Sequence, residues 1–382
     1  MSADPNSPSA IALRYISNNR FHRGFTLPAT ADHETLTVTY ADVGSTPEPP
    51  NPNPPTILFM PGMFASRYLS VLMHTIAEKL GVRVLIVDRP GFGNTTDVPL
   101  AQRLSIWIEL VPHLLAHLGI QHVALVSHCA GTIYLLNTLV HCREMLHPEK
   151  PFVAFLAPWV DPSHSHVTSM QIAQYLPGKA FDIWNLIPKF LLLKAGPAFA
   201  SGAAAMSKTW NVVSSGSSIS VSGRSEAEQE KNRRQIEKDY GLARDVQTEI
   251  HFLMLRFMFE ENTVGANSEA VQCLRMGADC EKTWGKCKDY GVYVRELVDL
   301  ESGRDRKPGE DRLKVRAYFA ETDSMIGKKG QQYVEECWNG NTEGFASALD
   351  FETTTFPGLD HDSLVESAEV LKSIFLHAGG TV

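Results

Sequence analysis

Four short apolar runs, separated by helix-like stretches, most constrain what this chain can become. They are TILFM (56–60), VRVLIVD (82–88), HVALVSH (122–128) and PFVAFLAP (151–158). Each is apolar at successive positions, which suits a strand covered on both faces rather than on one. Between them, SVLMHTIAEKLG and LSIWIELVPHLLAHLG carry amphipathic helical spacing, and GTIYLLNTLVHCREML follows the third run directly. Alternation of this kind predicts a mostly parallel sheet flanked by helices, an α/β fold. Residues 1–55 carry one more strand-like run, ETLTVTYADVG, before a proline-rich surface loop, STPEPPNPNPPT.

The alternation stops near Val160 and resumes near Asp311. RLKVRAYFAETD (312–323) and ALDFETTTFPGLDH (348–361) read as strands, and SLVESAEVLKSIFLHAG as a closing helix. The expected organisation is a core built from 1–160 and 311–382, with a helical insertion over 161–310. The insertion opens with MQIAQYLPGKAFDIWNLIPKFLLL and includes a Gly/Ser segment, SSGSSISVSGRS (214–225), expected to be flexible. A charged helix, EAEQEKNRRQIEKDYG, and an apolar one, VQTEIHFLMLRFMFEE, follow.

Composition excludes several classes. Of 382 residues, 43% are hydrophobic and 20% charged, and the formal net charge is −8, so no basic footprint for nucleic acid is present. Six cysteines are too few for a disulfide scaffold at this length. The best membrane-span candidate, LIPKFLLLKAGPAFASGAAAM, is broken by Lys189, Lys194 and two prolines. The N-terminus lacks the apolar core of a secretory signal. A cytoplasmic protein without a membrane span is expected, acting on a small molecule, with a homodimer compatible.

Chemistry gathers at Ser127-His128-Cys129-Ala130-Gly131. Small residues two before and two after a nucleophile permit a tight strand–turn–helix elbow, which exposes the central side chain at a helix N-terminus. With this motif the chain resembles the α/β-hydrolase fold superfamily, in a capped form. LFMPGMFASRYL resembles that family's first oxyanion loop, with Pro61 in place of histidine. VDRPGFGNT (87–95) resembles its Asp-x-x-Gly-x-Gly-x-Ser segment. FAETDSMIG resembles the segment delivering the acid, here Asp323, and FPGLDHDSLVESAEVL the one delivering the histidine, here His361. The resemblance implies a triad of Cys129, Asp323 and His361. It also implies an oxyanion hole from the Met63 and Ala130 backbone N–H groups, and no cofactor or metal. Asp161, after the PFVAFLAP strand, is the alternative acid. Gly62, Phe64, Arg67, His128 and Trp184 are candidate substrate contacts, with a structural ion pair the competing reading for Arg67.

Cysteine at the elbow leaves three readings open. It is an active nucleophile, activated by the histidine and the helix N-terminus as in the otherwise different, uncapped dienelactone hydrolases, which resemble this arrangement. It marks a catalytically silent ligand-binding protein, or it stands in for serine. The first implies an esterase, thioesterase or lactonase working through an acyl-cysteine on a sizeable, mostly apolar substrate. Acyl transfer, ring closure and carbon–carbon bond hydrolysis are its enzymatic alternatives. Other patterns carry less. Cys273, Cys280 and Cys287, seven apart, would share one face of a continuous helix, too widely spaced for a usual metal site. His164 and His166 fit a loop, His141, Cys142 and His147 fit helix packing, and Gly91 and Gly93 lack the Lys of a phosphate loop. Phe181, Trp184, Leu186, Phe190 and Leu191–Leu193 are expected mainly as the insertion's own core.

Overall fold

The computed structural model describes residues 4–48, 51–190, 223–277, 280–304, 309–339 and 344–382, the side chains of 223–226 and 280–281 apart. The expected flexible segment lies, all but its last three residues, outside them, and so do Leu191–Leu193.

Eight strands form one sheet: β1 Arg23–Leu27, β2 Leu36–Gly44, β3 Thr56–Met60, β4 Arg83–Val87, β5 Ala124–His128, β6 Phe152–Leu156, β7 Leu313–Thr322 and β8 Leu349–Asp360. Their spatial order is β1-β2-β4-β3-β5-β6-β7-β8. β2 runs antiparallel to both β1 and β4, and every other pairing is parallel. Every residue of β3, β4, β5 and β6 is buried, as their unbroken apolar character requires. One face is covered by the Ser70–Lys79 and Ala368–His377 helices, which pack together. The other carries the Arg103–His117 and Gly131–His141 helices.

β1 is an addition to the sequence reading. RGFTL contains a glycine, pairs only with β2 and leaves most of its side chains open to solvent, so no apolar pattern marks it. Two helices are shorter than their patterns. The one after β5 ends at His141 and gives way to a 3₁₀ turn over Arg143–Met145. The last is divided at Ser367, whose hydroxyl accepts the Val370 N–H at 3.4 Å and starts a fresh helix.

Among the described residues, the chain between β6 and β7 contains helices and turns but no sheet strand. Its apolar side chains are not segregated from the sheet: Ile250, Met254, Phe259, Trp284 and Tyr293 belong to one continuous buried core with β3 to β6. The Tyr290–Ser302 helix packs beside the Gly131–His141 helix, its Tyr293 hydroxyl donating to Leu136 O at 2.8 Å. The opening stretch breaks into short pieces. Phe181 is buried there, whereas Leu186 and Phe190 are more than half exposed instead of forming a core. No helix among the described residues is long and apolar enough to cross a membrane.

Candidate active site

The carboxyl ends of β5, β7 and β8 converge on one point. β5 ends at His128, so Cys129 is the first residue of the turn. Its φ is +48°, a left-handed conformation costing a cysteine about 1 kcal/mol or more. Neighbouring backbone enforces it. Cys129 N–H donates to Leu156 O at 3.1 Å, while Cys129 O accepts Thr132 N–H at 3.0 Å and Trp159 N–H at 3.3 Å. The small residues have a visible cause. A Cβ on Gly131 would overlap the Met60 carbonyl oxygen and lie 2.7 Å from its carbon, on the backbone of the adjacent strand. Phe64 (φ +66°) and Ala157 (φ +41°), also left-handed, sit beside the same point, so backbone strain clusters here.

β7 and β8 deliver the next two groups. A register shift between Ala320 and Thr322 brings Thr322 opposite Asp360, so Asp323 and His361 leave adjacent strand ends. His361 Nδ1 and Asp323 Oδ2 are 2.8 Å apart, and both side chains are about 6% exposed. The other carboxylate oxygen accepts the Met325 and Ile326 N–H groups at 2.8 and 3.0 Å. Burial works against the Asp323 charge, but the His361 ring and these bonds outweigh it and hold the carboxyl below its usual range. Burial likewise opposes charge on His361, yet Asp323 first and Cys129 second raise it well above an ordinary histidine. Its buried Nε2 has no nitrogen or oxygen partner among the described residues, and the Cys129 thiol lies close enough to act on the ring through charge and hydrogen bonding.

β3 ends in the loop Pro61-Gly62-Met63-Phe64. Ala65 N–H donates to Gly62 O at 3.2 Å, closing a turn whose third residue is the left-handed Phe64, as a type II turn requires. Among the described residues nothing accepts the Met63 or Ala130 N–H. A cavity of about 40 Å³ lies alongside, walled by Leu69, Met254, Leu255, Met258 and Val365 and bordered by Gly62, Met63 and His128.

The remaining candidates are placed as follows. Asp161 faces away from the histidine: it caps the Pro162–Ser165 turn through Ser163 N–H (2.7 Å) and pairs with Arg275 at 2.8 Å. Arg67 is taken up inside the protein, at 2.7 Å from both Asp88 and Glu261, with its Nε on Phe21 O. It does not border the cavity, and neither do Phe64, which packs near Phe259, or Trp184, which packs on Phe181. His128 Nε2 donates to His361 O at 3.0 Å, and burial, with the His361 charge, pushes its pKa down to about 3. It is therefore a neutral ring whose Nδ1 is a bare acceptor beside Gly62, where a Cβ would come within 2.9 Å. His128, His361 and Asp362 form the one cluster among the described residues close enough for a cation, and the imidazoles already bond protein oxygens. Cys273, Cys280 and Cys287 share no helix: the first ends one, the second starts another and the third lies in a 3₁₀ turn. His164 stacks on Tyr333 at 4.0 Å.

A profile of the alpha/beta hydrolase family matches residues 57–246, which span β3 to the insertion and contain the elbow. The chain has the α/β-hydrolase fold. Solved structures of similar fold include an epoxide hydrolase variant from Vigna radiata (13% identity, 93% of this chain and 97% of that one, TM-score 0.50). They also include a thermophilic esterase from Thermogutta terrifontis (10%, 92% and 96%, 0.48) and a haloalkane dehalogenase from Agrobacterium tumefaciens (14%, 95% and 100%, 0.46). At such identities the likeness concerns the fold, which hosts many chemistries. No curated protein sequence matches the chain.

Two residues beside this site were not brought forward by sequence reasoning. Arg89 occupies an unspecified position of the Asp-x-x-Gly segment, and Glu269 lies in the insertion with no motif around it. Both are fully buried charges, a signal that exists only once the chain is folded.

Proposed function

We propose that this chain is a cofactor-free enzyme cleaving an ester, thioester or lactone through an acyl-cysteine on Cys129. One observation carries the reading. His361 is bonded to Asp323 at Nδ1, its buried Nε2 has no nitrogen or oxygen partner among the described residues, and the Cys129 thiol acts on the ring as its charged and hydrogen-bonding neighbour. A silent binding protein has no physical need for a histidine so arranged.

The steps follow from the groups present. His361 takes the thiol proton as the Cys129 sulfur attacks the acyl carbon. The developing oxyanion is received by the Met63 and Ala130 N–H groups, which have no acceptor among the described residues. The carbonyl re-forms, the bond to the leaving oxygen or sulfur breaks, and His361 returns its proton to the leaving group. Water then attacks the thioester, giving its proton to His361. Collapse releases the carboxylic acid and the thiolate, which regains the proton. Asp323 keeps the imidazole in the tautomer with Nε2 free and stabilises its charged form throughout.

The leucine, methionine and valine walls of the cavity suit a mostly apolar acyl group, and Asp362 and Glu366, which also line it, suit a polar substituent on that group. The same walls support a second reading, acyl transfer. A thioester shielded from water and presented to an amine, thiol or carbon nucleophile favours transfer over hydrolysis.

The test is intact-mass spectrometry after brief exposure to activated esters, thioesters and lactones, with Cys129→Ala and His361→Ala in parallel. A transient acyl adduct mapped to Cys129, absent in Cys129→Ala and slow in His361→Ala, is expected. A panel that leaves no adduct and gives no turnover refutes the enzyme and favours the silent binder. Adding an amine and finding only free acid removes the transfer reading.

A further inference from the structure

We propose that Arg89, held by Glu269 of the inserted segment, is a positioning residue that sets the orientation of the oxyanion-loop peptide. This rests on the acyl-cysteine reading above.

Arg89 follows β4 and is 1% exposed. Its Nη1 donates to Pro61 O at 2.6 Å and its Nη2 to Gly62 O at 2.9 Å, two consecutive carbonyls of the loop after β3. A trans peptide holds its C=O and the following N–H in opposite directions. Anchoring Gly62 O on the guanidinium therefore turns the Met63 N–H away from Arg89, and that N–H, like that of Ala130, has no acceptor among the described residues. The planar fork of arginine can fix both carbonyls at once, which the single ammonium of lysine cannot. The clamp holds a strained turn, whose third residue is the left-handed Phe64.

Glu269 completes the device. It lies in the Gly265–Cys273 helix, is wholly buried, and grips Arg89 through Nε at 2.5 Å and Nη2 at 2.8 Å. Arg103 adds a contact to Glu269 at 3.1 Å and donates to Pro90 O at 2.8 Å. The insertion is docked at this same place by backbone bonds, Gly265 N–H to Gly91 O (3.0 Å) and Gly93 N–H to Asn262 O (2.9 Å). Buried ion pairs are seldom better for stability than apolar packing of the same volume, so their retention here is better explained by the geometry they impose. The insertion thereby sets the hole as well as covering the site.

The test compares two reactions of the same thiol in the full chain. Acylation by an activated ester builds an oxyanion; alkylation of Cys129 by iodoacetamide, followed by peptide mass, does not. For Arg89→Lys, and for the charge-free pair Arg89→Met with Glu269→Gln, acylation should fall about 10- to 100-fold, less than full loss of a donor. The loss should be in kcat rather than KM, with alkylation within about two-fold of wild type. Glu269→Gln alone should move acylation in the same direction by less. Unimpaired acylation in Arg89→Lys overturns the proposal alone. Acylation and alkylation falling in parallel overturns it too, since the effect is then on the thiol or on folding. A wild-type chain that alkylates readily but never acylates overturns the acyl-cysteine reading, and this proposal with it.

Discussion

Asp323→Asn is the substitution whose consequence the geometry determines most fully. One carboxylate oxygen is pinned by two backbone N–H groups, from Met325 and Ile326, and the other faces His361 Nδ1 at 2.8 Å. An asparagine there must place its carbonyl where the two N–H groups are, because its NH₂ cannot accept them. The NH₂ then points at His361 Nδ1, which must become an acceptor, and the ring proton moves to Nε2. That tautomer cannot take a proton from Cys129. The lost charge adds to the effect. Two unit charges about 4 Å apart in an effective dielectric near 20 interact by ~4 kcal/mol. If that attraction is realised mainly as the imidazolium forms, its loss is worth about 10³ in rate. Acylation of Cys129 by an activated ester, followed by stopped flow, should therefore slow by roughly three orders of magnitude. Asp161→Asn, which disturbs the Arg275 pair instead, should leave the acylation rate near wild type. Acylation within ten-fold of wild type in Asp323→Asn, or a large loss in Asp161→Asn, would refute the assignment of roles.

Three other outcomes are expected. Gly131→Ala should destabilise the fold by about 3 kcal/mol or more in urea unfolding, because the new methyl meets β3 backbone rather than a side chain that can turn aside; wild-type stability would contradict the close approach at the elbow. His128 is neutral when folded, with a pKa of about 3, against an ordinary histidine near 6.5 when unfolded. Between those values the unfolded chain binds more protons, so stability falls as pH falls from about 6.5 towards 3, by up to about 4 kcal/mol. His128→Gln lacks this term, and urea midpoints that stay parallel across that window would count against a buried neutral ring. His361 is raised when folded, so its contribution to stability is complete below the unfolded value near 6.5 and is lost as pH rises through the folded one. Cys129 is one cause of that rise, so in Cys129→Ala the His361 ring should titrate at lower pH by NMR, still held up by Asp323; an unchanged titration would separate the two side chains.

Much of the fold was legible because burial on both faces writes a run of apolar residues into each inner strand. β3 spans the TILFM run end to end, and β4 to β6 fall within theirs. β1 was not legible, since an edge strand needs no such run. Cys129, Asp323 and His361 stood out because each follows a strand directly and sits in a family-like segment. Arg67 carried both a substrate and a structural reading until Asp88 and Glu261 were seen on it. Glu261 is 194 residues away, and no local pattern connects the two.

The sequence by itself therefore determined a mostly parallel sheet, the turn at which Cys129 must stand, and the strand ends that carry Asp323 and His361. These depend on local periodicity and on the space a Cβ needs, which are properties of neighbouring residues. Tertiary structure alone decided that Asp323 rather than Asp161 meets the imidazole, that His128 is held neutral, and that Arg89 and Glu269 tie the insertion to the loop after β3. Each of those is a contact, or a desolvation, between side chains far apart in the chain. Its energy depends on distance and burial, and neither exists until the sheet has brought the strand ends together.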